Sequence, residues 1–179
     1  MLWHELYQQV AARLHGNSAL ADERPFILID SKRQALHWVN IEADESKTYS
    51  VSTSANGLGN RLDSFKTPFG VHRIRQKLGG SEPQGMVFKG REPTGHICKK
   101  NDQREVDEIT SRILWLDGLE PGINKDGPYD SYSRFIYIHG TTDEKRIGQA
   151  VSQGCIRMKN EDVIALFEDV LVNDLVIIQ

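Results

Sequence analysis

The stretch of sequence that decides the fold is Tyr137–Asn160, which reads YIHGTTDEKRIGQAVSQGCIRMKN. It opens as an apolar strand that ends at His139, and a thiol, Cys155, follows in its second half. A free cysteine is mostly protonated at neutral pH, so a catalytic thiol needs a base, and an imidazole supplies one when the fold brings them together. Gly154 lets the backbone approach closely and can leave N–H groups for an oxyanion. The pattern predicts a thiol catalyst, and the commoner alternative is a buried, inert cysteine.

Arg157 lies two residues after Cys155, so an extended segment would point both side chains to the same face. There the guanidinium could bind the carboxylate of a substrate. The alternative is a structural or surface ion pair.

A second motif, Thr67–Ile74 (TPFGVHRI), precedes the first, and Arg157–Val163 (RMKNEDV) continues it. These motifs, in this order, resemble those of the L,D-transpeptidase catalytic domain family. Its signature is His-Gly, a spacer, then Ser/Thr-His-Gly-Cys, an apolar residue and Arg or Asn, with Thr-Pro-x-Gly-x-aromatic-x-Ile upstream. The resemblance extends over residues 25–179. It implies a mixed β-sandwich whose active site lies under a lid, and cysteine acyl transfer on peptidoglycan stem peptides.

The resemblance also implies catalytic roles for individual residues. Cys155 would be the nucleophile and His139 the general base, and the backbone carbonyl of Gly140 would orient His139. The N–H groups of Gly154 and Cys155 would form the oxyanion hole.

Substrate contacts are implied for Arg157, near the substrate carboxylate, and for its neighbours Ser152 and Gln153. Gln153 stands where the family usually has His. That His is not the base in the implied scheme, so Gln153 bears on substrate contacts and on the field around the thiol.

Short apolar strands with turn signals between them predict a mainly β fold, a sandwich or barrel-like domain with peripheral helices. The predicted strands are Pro25–Asp30, Ala35–Val39, Thr48–Thr53, Val71–Ile74, Met86–Phe88, Ile113–Leu116, Phe135–Ile138 and Leu175–Ile178.

Two helices are predicted. Apolar residues spaced three and four apart indicate an amphipathic N-terminal helix within residues 1–21, followed by a single catalytic domain over residues 22–179. The second helix is Glu161–Leu171, with Asn160 as its N-cap.

Two long segments rich in turn residues, Gly79–Thr110 and Leu119–Ser131, separate predicted strands. Long irregular segments inside a domain are often functional, so both are interpreted as lids; the alternative is two solvated surface loops.

Composition excludes several classes. The chain has 179 residues, 22 Lys and Arg against 25 Asp and Glu, and a formal net charge of −3, which argues against nucleic-acid binding. No apolar run approaches the roughly 20 residues of a membrane helix, so no stable membrane insertion is expected. The thiols Cys98 and Cys155 cannot form a disulfide framework. His96-x-Cys98 with His72 or His37 matches no recognised metal spacing, and no glycine pair has the context of a phosphate loop, so neither metal nor cofactor is predicted.

The acceptor of the acyl group decides the activity. No export signal is apparent at the N-terminus, so we expect a cytoplasmic L,D-carboxypeptidase of muropeptide recycling, or a periplasmic enzyme if a signal was trimmed. The alternatives are a cross-linking L,D-transpeptidase and, from another class, a catalytically silent module that binds peptidoglycan fragments. A carbapenem that acylates only an activated thiol would separate enzyme from binding module.

Overall fold

The computed structural model describes residues 3–13, 24–99 and 107–179. Within them, the strands are β1 (Phe26–Asp30), β2 (Ala35–Asn40), β3 (Glu45–Ser52), β4 (Gly70–Leu78), β5 (Met86–Lys89), β6 (Glu92–Ile97), β7 (Ile109–Gly118), β8 (Tyr137–Thr141), β9 (Ile156–Met158) and β10 (Leu175–Ile178). The α-helices of the described part are α1 (Trp3–Arg13) and α2 (Asn160–Asp169).

The strands form one mixed sheet that closes on itself. Their order is β4-β10-β1-β2-β3-β9-β8-β7-β5-β6, and β4 also pairs with β7. The strands from β4 round to β7 therefore make a ring, from which the β5–β6 hairpin projects. The pairs β1–β10 and β8–β9 are parallel and the others antiparallel. This confirms the predicted mainly β fold with few helices.

The register of β8 and β9 fixes which side chains face the core. Ile138 lies opposite Ile156, and both are completely buried in the central apolar cluster. Burying a side chain of this size stabilises the fold by about 1.5–3 kcal/mol. Because side chains alternate along a strand, the residues on either side of this pair point away from that core. The candidate catalytic residues lie on that opposite side.

Helix α1 covers the outer face of the ring. Leu6, Tyr7 and Val10 are buried there with Phe26 of β1 and Ile177 of β10. This confirms the predicted apolar face over 3–13, whereas the rest of the predicted 1–21 segment lies outside the described residues. No helix in the described ranges is both long enough and apolar enough to span a lipid bilayer.

The prediction of Asn160 as the N-cap of α2 was wrong. Asn160 is the first helical residue, and Lys159 occupies the cap position without a side-chain capping bond. The amide of Asn160 is engaged elsewhere: its Oδ1 accepts from Thr110 Oγ1 at 2.7 Å and from Ser111 Oγ at 2.5 Å. Tertiary hydrogen bonds to β7 thus take the place of a local cap.

The long segments also differ from the prediction. The described parts of Gly79–Thr110 contain the β5–β6 hairpin and the start of β7, and residues 100–106 lie outside the described residues. Strand β6 (EPTGHI) was not predicted because it is exposed and lacks alternating apolar residues. Leu119–Ser131 contains a short 3-10 helix, Gly127–Tyr129. Glu120 and Asn124 in this segment are buried, and Glu120 accepts from the Val71 N–H of β4 at 2.7 Å.

Candidate active site

Strands β8 and β9 place four functional side chains on one face of the sheet. Ile138 and Ile156 are paired and point into the core. Tyr137 and His139 on β8, and Arg157 on β9, therefore point the other way, and Cys155 just before β9 packs beside Tyr137. The sequence predicted a shared face only for Cys155 and Arg157. The register of β8 and β9 sets the side to which Tyr137, His139 and Arg157 point.

His139 is held by its own neighbour. The imidazole is 3% exposed, and Nδ1 lies 2.6 Å from the carbonyl oxygen of Gly140. A carbonyl only accepts, so Nδ1 carries the proton and Nε2 is left as the acceptor. Burial lowers the pKa of His139, and the positive charge of Arg157 lowers it further, against the opposing effects of Gly140 and Asp107. His139 is therefore a neutral base at neutral pH.

Glycine is required at position 140. A Cβ there would lie 2.5 Å from the carbonyl oxygen of Thr110 and 2.7 Å from Oδ1 of Asn160. The Asn160 amide in turn donates to the Thr141 carbonyl at 3.0 Å. This polar cluster behind β8 explains the His-Gly sequence, because a side chain would displace the carbonyl that orients His139.

The Cys155 thiol lies among backbone groups of the preceding loop and of β8. The Tyr137 N–H donates to Sγ at 3.4 Å, and the thiol donates to the Phe135 carbonyl at 3.5 Å. Burial raises the pKa of Cys155 to about 11, although the Tyr137 N–H and the charges of Arg157 and Arg134 oppose that shift. The resting group is therefore a thiol.

His139 and Cys155 share a face, but no hydrogen bond joins them in this structure. The thiol is directed at the Phe135 carbonyl instead. Proton transfer to Nε2 requires Sγ to leave that carbonyl, and catalytic hydrogen bonds often tighten only when substrate is bound.

The loop before the thiol is built around Ser152. Its hydroxyl donates to the Cys155 carbonyl at 2.6 Å and accepts from the Gly154 N–H at 3.2 Å. Gly154 has φ +125°, where a side chain would be strained, and a Cβ there would lie 3.4 Å from the Lys66 carbonyl oxygen. Ser152 is buried, so its hydroxyl supports the loop, whereas Gln153 is exposed to solvent. The predicted substrate contacts of these two residues stay predictions.

Arg157 is engaged in an ion pair. Its Nε lies 2.8 Å from Asp107 Oδ2, and the two side chains are 11% and 14% exposed. Asp107 also accepts from the Thr141 hydroxyl. The structure thus favours the structural ion pair that the sequence left open, and a clamp on a substrate carboxylate stays a prediction for Arg157.

Arg134 is a neighbour of the thiol that sequence reasoning missed. Its guanidinium donates to the carbonyls of Gly59 at 3.2 Å, Asn60 at 2.9 Å and Lys66 at 2.6 Å. Burial lowers its pKa, and the Cys155 group opposes that shift. Because the Lys66 carbonyl also faces Gly154, Arg134 fixes the wall beside the predicted oxyanion hole. No local pattern marks it, since all three acceptors are distant in sequence.

Replacing Arg134 by Met should loosen this wall. Three partly buried carbonyls would lose their donor, so we expect a stability loss of about 1–3 kcal/mol and at least a roughly tenfold fall in activity. Urea unfolding and turnover measure the two effects. Arg61→Met is the matched control, because Arg61 is an exposed arginine of the loop whose carbonyls Arg134 binds. Equal behaviour of the two variants would contradict the role given to Arg134.

Aromatic side chains flank the thiol. The Trp115 ring stacks on Tyr132 with centroids 4.1 Å apart, and it also contacts Phe135 at 5.7 Å and Tyr137 at 5.5 Å. We call these four residues the aromatic cluster. Phe135 is 50% exposed and has φ +56°, a strained conformation for a bulky residue. The carbonyl that accepts from the Cys155 thiol belongs to this same residue, Phe135.

The histidine of the upstream motif has a structural environment. His72 is buried, with Nδ1 3.2 Å from the Gly70 carbonyl and Nε2 2.9 Å from Ser131 Oγ. Burial lowers the pKa of His72 to about 4, so it is neutral at neutral pH. In the described ranges, no three His, Cys, Asp or Glu side chains cluster in a way that could hold a metal ion.

Comparisons with known proteins show the family to which this chain belongs. The model of the YkuD family, the L,D-transpeptidase catalytic domain, matches residues 24–178. This chain therefore belongs to the L,D-transpeptidase catalytic domain family. The resemblance of its motifs to that family is confirmed.

Individual relatives are similar over limited lengths. A putative L,D-transpeptidase YkuD of Bacillus subtilis is 52% identical over 48 residues, which are 24% of this chain and 29% of that protein. The structure of L,D-transpeptidase LdtMt1 in complex with imipenem superposes with a TM-score of 0.51, and that of L,D-transpeptidase 3 from Mycobacterium tuberculosis with a faropenem-derived adduct with 0.54. Both are 14% identical over 87% of this chain, and cover 58% and 60% of those chains. They share the fold.

Proposed function

We propose that this chain is a cysteine enzyme that cleaves the bond between the third residue, a diamino acid, and the fourth, D-alanine, of peptidoglycan tetrapeptides. The observation that carries the proposal is the β8–β9 face. It carries both the Cys155 thiol, which contacts the Tyr137 N–H at 3.4 Å, and the imidazole of His139, whose tautomer the Gly140 carbonyl sets. Membership of the L,D-transpeptidase family supports the substrate class.

The chemistry follows from these groups. Nε2 of His139 takes the thiol proton as Sγ of Cys155 attacks the carbonyl carbon of the third residue. The C–N bond to D-alanine breaks, and the same proton passes to the leaving amine. A thioester remains on Cys155. Water then attacks it, with His139 again as base, and the tripeptide and the thiol are released.

The developing oxyanion would be bound by backbone N–H groups of Gly154 and Cys155. The Gly154 N–H now donates to Ser152 Oγ at 3.2 Å, a long bond. An oxyanion is a stronger acceptor than a hydroxyl, so it can take over that donor. Gly154 has a positive φ, which favours glycine, so no side chain lies in the turn beside these N–H groups.

Hydrolysis is our proposal for the main fate of the thioester. An amine acceptor competes with water only if the protein holds it in line with the thioester, and such positioning is worth several kcal/mol. Cytoplasmic muropeptide recycling stays a prediction that accompanies this choice. The second candidate is cross-linking L,D-transpeptidation, which the name of the Bacillus subtilis relative favours.

Product analysis tests the proposal. With a disaccharide-tetrapeptide ending in D-alanine, mass spectrometry should find the tripeptide and free D-alanine, with little cross-linked dimer. A pentapeptide ending in two D-alanines should be a poor substrate, since the wrong bond would lie over Cys155. Dimer in excess of tripeptide at modest substrate concentration would favour the transpeptidase instead, and absence of both products would reject the enzyme.

A further inference from the structure

The arginines around Cys155 differ in what they already bind. Arg157 is paired with Asp107 at 2.8 Å, and the Arg134 guanidinium is taken up by three backbone carbonyls. Arg91 is different. Its Nη1 donates to the Tyr137 hydroxyl at 3.3 Å, and no carboxylate of the described residues forms an ion pair with it. Among the described residues, the two-pronged cation of Arg91 thus has aromatic and hydroxyl neighbours but no acidic partner.

Arg91 contacts the aromatic cluster against which Cys155 packs. Its guanidinium carbon is 4.8 Å from the Trp115 ring centroid and 5.1 Å from that of Phe135. Phe135 and Tyr137 are the two residues whose backbone groups contact the thiol, at 3.5 and 3.4 Å. The turn of the β5–β6 hairpin thus carries a cation onto the aromatic cluster, and two residues of that cluster, Phe135 and Tyr137, contact the nucleophile through their backbone.

The backbone conformation at Arg91 is one that the turn itself would not favour for an arginine. Gly90 and Arg91 join β5 to β6 with φ +55° and +73°. Hairpin turns with two positive φ values favour Asn or Gly at these positions, so an arginine there is strained. A guanidinium that stacks by its face on aromatic rings keeps its N–H edge available for a carboxylate.

We propose that Arg91 is the specificity-determining residue that binds a carboxylate of the substrate peptide during acylation of Cys155. This rests on the proposed function. The carboxylate is either the terminal one of the fourth residue, which is next to the scissile bond, or a side-chain one of the third residue, where the diamino acid carries a second carboxylate. The β5–β6 hairpin thereby contributes to substrate selection as well as to the wall of the site.

Peptide binding to the Cys155→Ala protein tests the proposal without turnover. The probes are the tetrapeptide with both carboxylates free, one amidated on the third residue, and one amidated at the C-terminus. Arg91→Met in this background should weaken binding of the free peptide about tenfold or more, and Arg91→Lys should restore little of it. One of the two amidated peptides should bind equally weakly with and without the Arg91→Met substitution. The carboxylate that is blocked in that peptide is the one that Arg91 binds.

Arg75→Met is the matched control, because Arg75 is exposed and its guanidinium carbon lies 6.0 Å from the Tyr132 ring of the same cluster. It should change binding less than about threefold. Unchanged thermal unfolding of Arg91→Met excludes a folding defect. Equal loss for all three peptides, or no loss for any, overturns the proposal. Wild-type turnover is scored separately, so a failure of the proposed reaction is distinguishable from a failure of Arg91.

Discussion

Cys155→Ala should abolish turnover of the tetrapeptide while the protein stays folded. Removing a covalent nucleophile costs on the order of 10⁴-fold or more in rate, because the remaining binding groups cannot form the thioester. The hydrogen bonds of the thiol, with Tyr137 N and Phe135 O, are long, so their loss should alter stability little. Steady-state release of D-alanine and urea unfolding measure the two effects.

Cys98→Ala is the control for this variant. Cys98 follows β6, where its N–H donates to the Gly85 carbonyl at 2.8 Å, a bond that Ala preserves. Activity should stay within a few-fold of the wild type. A dead Cys98 variant beside an active Cys155 variant would show that the nucleophile has been assigned to the wrong residue.

His139→Ala should give the second large effect. Loss of a general base typically costs about 10²–10⁴-fold. Burial lowers the pKa of His139 and raises that of Cys155 to about 11, so near pH 7 the imidazole is neutral and the thiol protonated. With the base removed, alkylation of Cys155 by iodoacetamide should slow near neutral pH and recover only as the solution becomes alkaline enough to ionise the thiol directly.

The alkylation profile separates this role from a structural one. His37→Ala is the control, since His37 lies on β2, bonds Thr48 Oγ1 at 2.9 Å and takes no part in the site. Its profile should follow that of the wild type. If His139→Ala also leaves the pH dependence of alkylation unchanged, His139 is not coupled to the thiol.

The catalytic face could be predicted because its determinants are local. Ile138 and Ile156 belong to short apolar runs, and alternation along such strands puts His139 on the opposite side from the core. Gly140 and Gly154 also belong to local sequence motifs. The reason why glycine is required there, the proximity of the Thr110 and Lys66 carbonyls, is visible only in the folded chain.

The features that the sequence did not predict depend on contacts between residues far apart in sequence. Asparagine is a residue type that favours helix N-caps, but the side-chain amide of Asn160 accepts from Thr110 and Ser111 of β7 instead. Those tertiary hydrogen bonds outweigh the local preference. Strand β6 forms by pairing with β5 despite its exposed, Pro- and Gly-containing sequence. The different partners of the arginines follow the same rule, since no spacing pattern shows that Arg157 pairs with Asp107 while Arg91 pairs with no acid of the described residues.

Intact-protein mass spectrometry after incubation with a carbapenem tests the activated thiol most directly. Our account predicts one covalent adduct per chain, located on the peptide that contains Cys155, formed slowly by His139→Ala and absent from Cys155→Ala. An adduct that persists in Cys155→Ala, or a wild-type protein that stays unmodified while it binds peptidoglycan fragments, would contradict the account and favour a catalytically silent binding module.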